Sequence, residues 1–364
     1  TSELFDPDRR RTLERLRSEG IDPYPARSPS PAAIEAARAL ADQGEAEATV
    51  AGRILAHRPF GKLAFLVLQD RTGRIQVAVR KGDVGERGWA LYGRLDLGDL
   101  LAAKGKVGRT KTGEVTLFAT EIVLLAKSLL PPPEKWHGLA DVELRTRLRY
   151  VDLWASEGVR EVFEKRARLV RAIRAFLDGR GYVEVETPTF HPIAGGATAR
   201  PFTTHHNALD LDLYLRIALE LPLKKLLVGG LERVYEIGRV FRNEGISRKH
   251  NPEFTMLESY EAYADYEGIA RLVEEMFAEA ARAVSGSTAV SFRGKGYAFA
   301  PPFRRARYAE LLREHAGVDL FDEGALRARA RAAGLPEAGR PSAVVANDLF
   351  EGLVEERLEG PVFV

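Results

Sequence analysis

The 364-residue chain has no cysteine, only two methionines and an almost balanced charge of +2, from 54 Lys and Arg against 52 Asp and Glu. Without cysteine there can be no disulfide framework, no thiolate zinc site and no thiol nucleophile, so any chemistry must use oxygen and nitrogen groups, which fits a reducing cytosol. No apolar run reaches the roughly 18 residues a membrane helix needs, and the early Asp6-Pro7-Asp8-Arg9-Arg10-Arg11 run is unlike a secretory leader. A cytoplasmic protein with no membrane partner is expected. A net charge of +2 is not that of a basic polyelectrolyte, so nucleic-acid contact would have to come from local patches. A glycine-rich phosphate loop and a parallel βαβ repeat are also missing, which argues against Rossmann and P-loop nucleotide sites.

The composition, 45% hydrophobic, is sufficient for two or three buried cores. Residues 4–19 read as a short amphipathic helix, with Leu13 and Leu16 inward and Arg9, Arg10, Arg11, Arg15 and Arg17 exposed, either simply solvated or facing RNA phosphate. Prolines from Pro23 to Pro31 separate it from a second helix near Ala32–Asp42, and residues 1–47 form a helical extension. Over residues 48–127 the apolar period becomes two, as in Phe65-Leu66-Val67-Leu68-Gln69 and Arg74-Ile75-Gln76-Val77-Ala78-Val79-Arg80 around the turn Asp70-Arg71-Thr72-Gly73. With a helix near Glu86–Leu95 and strands at Leu101–Val107 and Glu114–Leu125, the order is that of a five-stranded OB-fold β-barrel. Leu129-Leu130-Pro131-Pro132-Pro133 stiffens a linker assigned to residues 128–150.

An α+β domain is expected over residues 151–364. Val159, Val162, Phe163, Leu169, Val170, Ile173, Phe176 and Leu177 recur at helical spacing, and the helix leads into a strand that ends at Pro188. Two further strands, Glu232–Arg242 and Pro252–Tyr263, flank a loop carrying Arg248, Lys249 and His250, a loop suited to an anion. Strand alternation puts Phe254, Met256, Glu258 and Tyr260 on one face. Such a face is ordinarily half-buried core, but a carboxylate there costs several kcal/mol if buried alone and therefore wants a cation.

The run Phe241-Arg242-Asn243-Glu244-Gly245-Ile246-Ser247-Arg248-Lys249-His250-Asn251-Pro252-Glu253-Phe254-Thr255-Met256-Leu257-Glu258 resembles motif 2 of the class II aminoacyl-tRNA synthetases, in the form typical of their lysine-specific members. Gly195-Gly196-Ala197, Arg200-Pro201-Phe202, Thr204 to Asp210 and Tyr214 to Ala218 are similar to the segment that follows motif 1 in those enzymes, and the helix and strand ending at Pro188 resemble motif 1 itself. The resemblance implies an enzyme that joins lysine to tRNA(Lys) at the expense of ATP, acting as a homodimer through motif 1. It implies ATP contacts at Arg242, Asn243, Glu244, His250, Asn251 and Phe254, with Arg242 as the catalytic clamp on the α-phosphate. Gly196, Glu220, Arg242, Glu258 and Tyr260 would bind lysine. In the barrel it implies anticodon contacts at Phe65 and Gln76, with Arg53 a further candidate. Alternation leaves Phe65 open between stacking and core, whereas Gln76 between Ile75 and Val77 should face outward.

Leu219 stands where these enzymes usually carry proline, and Lys249 where arginine is common. The chain reaches Val364 in a stretch resembling the strand ahead of the remaining active-site carboxylates and motif 3. No metal ligand is therefore assigned; Mg2+ ligands are expected beyond residue 364, and residues 1–364 alone are expected to bind without turnover. Two alternatives stand beside this reading. An aspartate or asparagine enzyme would share the architecture but lack the His250-to-Met256 run, and a noncatalytic tRNA- or partner-binding paralogue without motif 3 would have no need to keep motif 2.

Overall fold

The computed structural model describes residues 5–43, 46–132, 139, 141–247 and 249–364. Leu4, Pro133 and Arg248, named above, lie outside the described residues. The chain divides into two compact units, Thr1–Arg160 and Glu161–Val364.

In the first unit, helix α1 (Pro7–Ser18) begins where the Asp6 carboxylate accepts from the Asp8 and Arg9 amides with Pro7 in the first turn, an N-cap that satisfies otherwise orphaned donors. Arg9, expected to be exposed, is instead 8% exposed. Its guanidinium donates to the carbonyls of Leu97, Ser128 and Leu130, so it ties the helix to the barrel instead of facing solvent. Helix α2 (Ile34–Ala39) follows. Leu16, Ile34 and Ala37 are fully buried in the same hydrophobic cluster as the barrel interior, so the helical extension shares the barrel core.

Strands β1 (Glu47–Phe60), β2 (Leu63–Gln69), β3 (Arg74–Arg80), β4 (Leu100–Arg109) and β5 (Val115–Ala126) close into a barrel in the order β1-β2-β3-β5-β4. The alternating residues Ala64, Leu66 and Leu68 of β2 and Ile75, Val77 and Val79 of β3 point inward, as the two-residue period requires. Closure needs a bulge beside Gly105, where a Cβ would lie 2.0 Å from the Phe118 carbonyl oxygen, a contact that admits no side chain. Helix α3 (Lys81–Tyr92) is kinked at Gly85, whose φ is 71°. At the barrel's end, Lys127 Nζ is buried against Asp99 at 2.8 Å and Asp96 at 2.5 Å; burial raises the Asp99 carboxyl pKa even though the ammonium pulls it down. The segment after the prolines forms helices α4 (Val142–Arg147) and α5 (Arg149–Ala155), so the assigned linker is partly helical.

In the second unit, helix α6 (Val159–Asp178) runs into strand β6 (Val183–Glu184), which pairs in parallel with β10 (Arg233–Phe241); β10 pairs antiparallel with β11 (Glu253–Glu261). Between them, β7 (Phe190–His191), β8 (Thr203–His206) and β9 (Leu211–Leu215) form a small sheet, and helix α7 (Glu220–Val228) follows. Helix α8 (Tyr266–Ser285) leads to the hairpin β12 (Ala289–Phe292) and β13 (Lys295–Ala298). After β14 (Arg304–Arg305), helices α9 (Tyr308–Ala316), α10 (Glu323–Ala332) and α11 (Ser342–Leu353) pack around Leu311, Leu312, Val345 and Leu349, and β15 (Val362–Phe363) returns beside β14.

The β10–β11 pair positions the candidate site. One face, with Tyr235, Ile237 and Leu257, packs on Phe176 and Leu177 of α6 and Leu272 and Met276 of α8. The other, with Val234, Val240, Phe254, Met256 and Tyr260, packs on Leu219 and on Leu223, Leu226 and Leu227 of α7. The α-helical cover on both faces is therefore unequal, and the ends of the second face remain open beside the loop that joins the strands.

Candidate active site and nucleic-acid interface

The β10–β11 connection folds around Ser247. Its hydroxyl accepts from the Lys249 and His250 amides at 3.2 Å and lies 2.8 Å from His250 Nδ1, while the Ser247 and His250 main chains exchange bonds. Arg242, just past β10, donates its amide to the Pro252 carbonyl at 2.8 Å, which closes the loop's base. Its guanidinium sits 5.3 Å from the centroid of the Phe254 ring and donates from Nε to the Ile217 carbonyl at 3.4 Å. Arg242, Glu244, Lys249, His250, Asn251 and Phe254 line a cavity of about 310 Å³ with Gly245. A planar cation, a point cation, an imidazole and an aromatic plate thus face one space, a composition suited to a phosphate ester attached to an aromatic base. Asn243 is not in that lining; its amide donates to the Arg200 carbonyl at 2.8 Å.

Farther along β11, Glu258 is half-buried. One of its oxygens accepts the Leu219 amide at 2.9 Å and the other the Tyr260 hydroxyl at 3.0 Å. Both donors are neutral, and among the described residues no ion pair includes Glu258, so its full charge is left for a ligand. Burial, and then the Glu258 carboxylate, pushes the Tyr260 phenol well above its ordinary range. Gly196 adopts φ +88°, and a Cβ there would come within 3.2 Å of Ala218 Cβ and 3.3 Å of Glu220 Cβ, so a side chain is excluded beside Glu220. The Glu220 carboxylate holds the Lys224 ammonium at 2.6 Å, one helical turn on.

In the barrel, Phe65 is not core. It is half-buried on the outer face of β2, in T-shaped contact with Phe60 at 5.9 Å, and pairs in register with Ala78 of β3. Gln76 shares that face and donates to the Thr116 hydroxyl at 2.9 Å. Both line a cavity of about 600 Å³ that also presents Arg58, Arg80, Arg109 and Lys111, an aromatic platform rimmed by cations. Arg53 is not part of it. Its guanidinium donates to the Gly98 carbonyl at 2.6 Å and lies 4.9 Å over the Trp154 ring, and burial lowers its pKa. Arg58, five positions on along β1 where the alternation of burial ends and side chains leave the core face, does line that cavity.

Among the described residues, no group of three or more histidine and carboxylate side chains is arranged to hold a metal ion, so no step below is routed through one. No described helix is long and apolar enough to cross a membrane.

The family model described as tRNA synthetases class II (D, K and N) matches residues 141–347, and that described as an OB-fold nucleic acid binding domain matches residues 48–125. The chain is 51% identical to a protein named lysine--tRNA ligase from Moorella thermoacetica, over 97% of this chain and 73% of that protein. Proteins of the same name from Pelotomaculum thermopropionicum and Roseiflexus castenholzii are 49% and 50% identical, over 98% and 97% of this chain and 72% and 74% of their own lengths.

Proposed function

Since this chain belongs to the lysyl-tRNA synthetase family of class II synthetases, we propose that it binds lysine and ATP between β11 and the Ser247 loop, forms lysyl-adenylate and charges tRNA(Lys) in the cytoplasm. The single observation that carries the reading is the pairing, on one strand, of the Arg242–Phe254 cavity with the unneutralised Glu258 carboxylate. Phe254 would stack on adenine, and Glu244, His250 and Asn251 would hold the nucleotide with Asn243 at their base. Glu258 and Tyr260 would take the lysine side chain's end of the pocket, while Gly196 lets the substrate's amino group approach Glu220 once Lys224 yields it.

No protein nucleophile is needed. A lysine carboxylate oxygen forms the new bond to the α-phosphorus in line as the bond to the β-phosphate bridge breaks and pyrophosphate leaves. Arg242, with its rigid fork, spreads the charge that builds on the α-phosphate oxygens. The terminal hydroxyl of tRNA then attacks the lysyl carbonyl, AMP leaves with the bonding pair, and the hydroxyl proton is released. Magnesium would supply further charge neutralisation on ATP, as is general in this family.

The barrel, residues 48–127, would present Phe65 to an anticodon base, Gln76 to its edge, and Arg58 in place of Arg53 to phosphate. Residues 151–364 would form the catalytic domain. A homodimer through α6 and β6 would follow from the family's motif 1, and Val162 and Val183, 64% and 48% exposed, lie on those elements. The test is equilibrium binding of lysine and ATP: selective lysine binding weakened in Glu258→Gln supports the proposal, and binding indifferent to Glu258 and Arg242 overturns it.

A further inference from the structure

The reading above leaves open what fixes the Arg242 guanidinium, whose contacts among the described residues are one long hydrogen bond and one ring. The residues that converge behind it are on Arg216, at the end of β9. The Arg216 carbonyl accepts the Phe241 amide at 2.9 Å, and its Nε donates to the Arg239 carbonyl at 2.7 Å. Nη1 reaches the Thr187 carbonyl at 3.0 Å and Glu236 Oε1 at 2.5 Å. The other Glu236 oxygen accepts from the Thr187 amide at 3.1 Å and hydroxyl at 2.6 Å. The next residue, Ile217, supplies the carbonyl that Arg242 uses. Two adjacent residues therefore bind positions 239, 241 and 242, the end of the strand from which Arg242 projects.

The face matters as much as the bonds. Glu236 lies directly opposite Glu258 in the β10–β11 register, and opposed residues of an antiparallel pair share a face. Two carboxylates there would repel each other, but the Arg216–Glu236 pair is buried, at 6% and 4% side-chain exposure, and Glu236 is neutralised. Between them, Gly238 leaves room for the guanidinium; a Cβ would stand 2.3 Å from Arg216 Nη2.

We propose that Arg216 is a positioning residue: its fork holds the end of β10 so that Arg242 points into the nucleotide cavity, and its charge cancels Glu236 so that Glu236 adds no net charge beside Glu258 on this face. The inference rests on the lysine- and ATP-binding reading. A lysine at 216 could cancel the charge but could not reach Arg239, Thr187 and Glu236 together.

The experiment titrates the parent chain and three variants, Arg216→Lys, Gly238→Ala and the charge-neutral double variant Arg216→Met/Glu236→Leu, with lysine alone and with lysyl-sulfamoyl-adenosine, a stable adenylate analogue. Removing a buried ion pair as a unit leaves no unpaired charge, so the double variant is expected to fold, with a lower melting temperature because the Arg239 and Thr187 groups lose their partners. Lysine affinity should stay within about threefold while analogue affinity falls by about a hundredfold, the scale of loss when a binding group is misplaced by an ångström. Gly238→Ala, which keeps both charges and crowds the guanidinium at 2.3 Å and Glu236 Oε1 at 3.0 Å, should lose analogue affinity in the same direction, and Arg216→Lys should retain lysine but not analogue binding. Parent-like analogue binding in the folded variants overturns the inference. A parent chain that binds neither ligand overturns the proposed function and this inference together.

Discussion

Glu258→Gln separates charge from shape in the lysine pocket. The amide keeps an oxygen for the Leu219 amide proton, 2.9 Å away in the parent, and can donate its NH2 to the Tyr260 hydroxyl at the 3.0 Å position. Both parent bonds run from neutral donors to a carboxylate and become neutral ones, while the half-buried charge that costs desolvation is removed; the two effects oppose, so the folded state should change by about 1 kcal/mol. The ligand is treated differently, because a hydrogen bond from an ammonium to a carboxylate contributes about 1.5–3 kcal/mol, against about 1 for a neutral pair. The net loss is about 0.5–2 kcal/mol, so at 1.4 kcal/mol per decade lysine affinity should drop about 2- to 30-fold, with ATP affinity unchanged. Glu258→Ala, which also empties the site, should cost about 3–5 kcal/mol. The same change tests the electrostatics independently. Burial is the first cause of the raised Tyr260 phenol and the carboxylate the next, so in Glu258→Gln the phenol should titrate lower than in the parent yet stay above the ordinary value, read from tyrosinate absorbance. Calorimetric lysine titrations of parent and Gln variant within twofold of each other would refute the assignment.

Further expectations follow from the same geometry. Phe65→Ala should weaken binding of a lysine anticodon stem-loop by about 1–3 kcal/mol, whereas Arg53→Ala, whose guanidinium serves Gly98 and Trp154, should lower the melting temperature and leave stem-loop affinity unchanged when measured on folded protein. Gly196→Ala, at φ +88° and against Ala218 and Glu220, should lose about 1–2 kcal/mol of stability in urea unfolding, and more in lysine affinity. Tyr182, Tyr235 and Tyr260 all hold their protons above the ordinary range, chiefly through burial and then through Glu261, Asp178 and Glu258. Their unfolded forms release protons first, so stability is fully present below about pH 10 and falls as pH rises beyond it; urea midpoints from pH 8 to 11 check the sign.

The elements with strong periodicity were legible. Phe65 to Gln69 alternate in burial, Arg74 to Arg80 do so except at the buried Ala78, and Val159 to Leu177 repeat at three and four, because one face of each is bound to a core. What escaped was set by distant partners. Arg9 reads as one of several arginines on a polar face, and nothing local foretells three carbonyls from positions 97, 128 and 130. Arg53 reads as a basic strand residue until Trp154 and Gly98 are brought to it. Arg216 follows β9 whereas Glu236 lies on β10, and their pairing depends on Gly238 having no side chain, a fact of packing without a period. The motif 2 run was recognisable as a string, but the pivot of its loop, Ser247, became visible only as the acceptor of two amides.

The central claim, that this site selects lysine for joining to ATP, is tested most directly by calorimetric titration of lysine, aspartate and asparagine into the ATP-bound chain. Lysine should bind with aspartate and asparagine weaker by a factor of about a hundred or more, since the Glu258 carboxylate, in no ion pair among the described residues, rejects an acidic side chain and leaves a neutral one unpaired. Aspartate or asparagine binding as tightly as lysine would contradict the account.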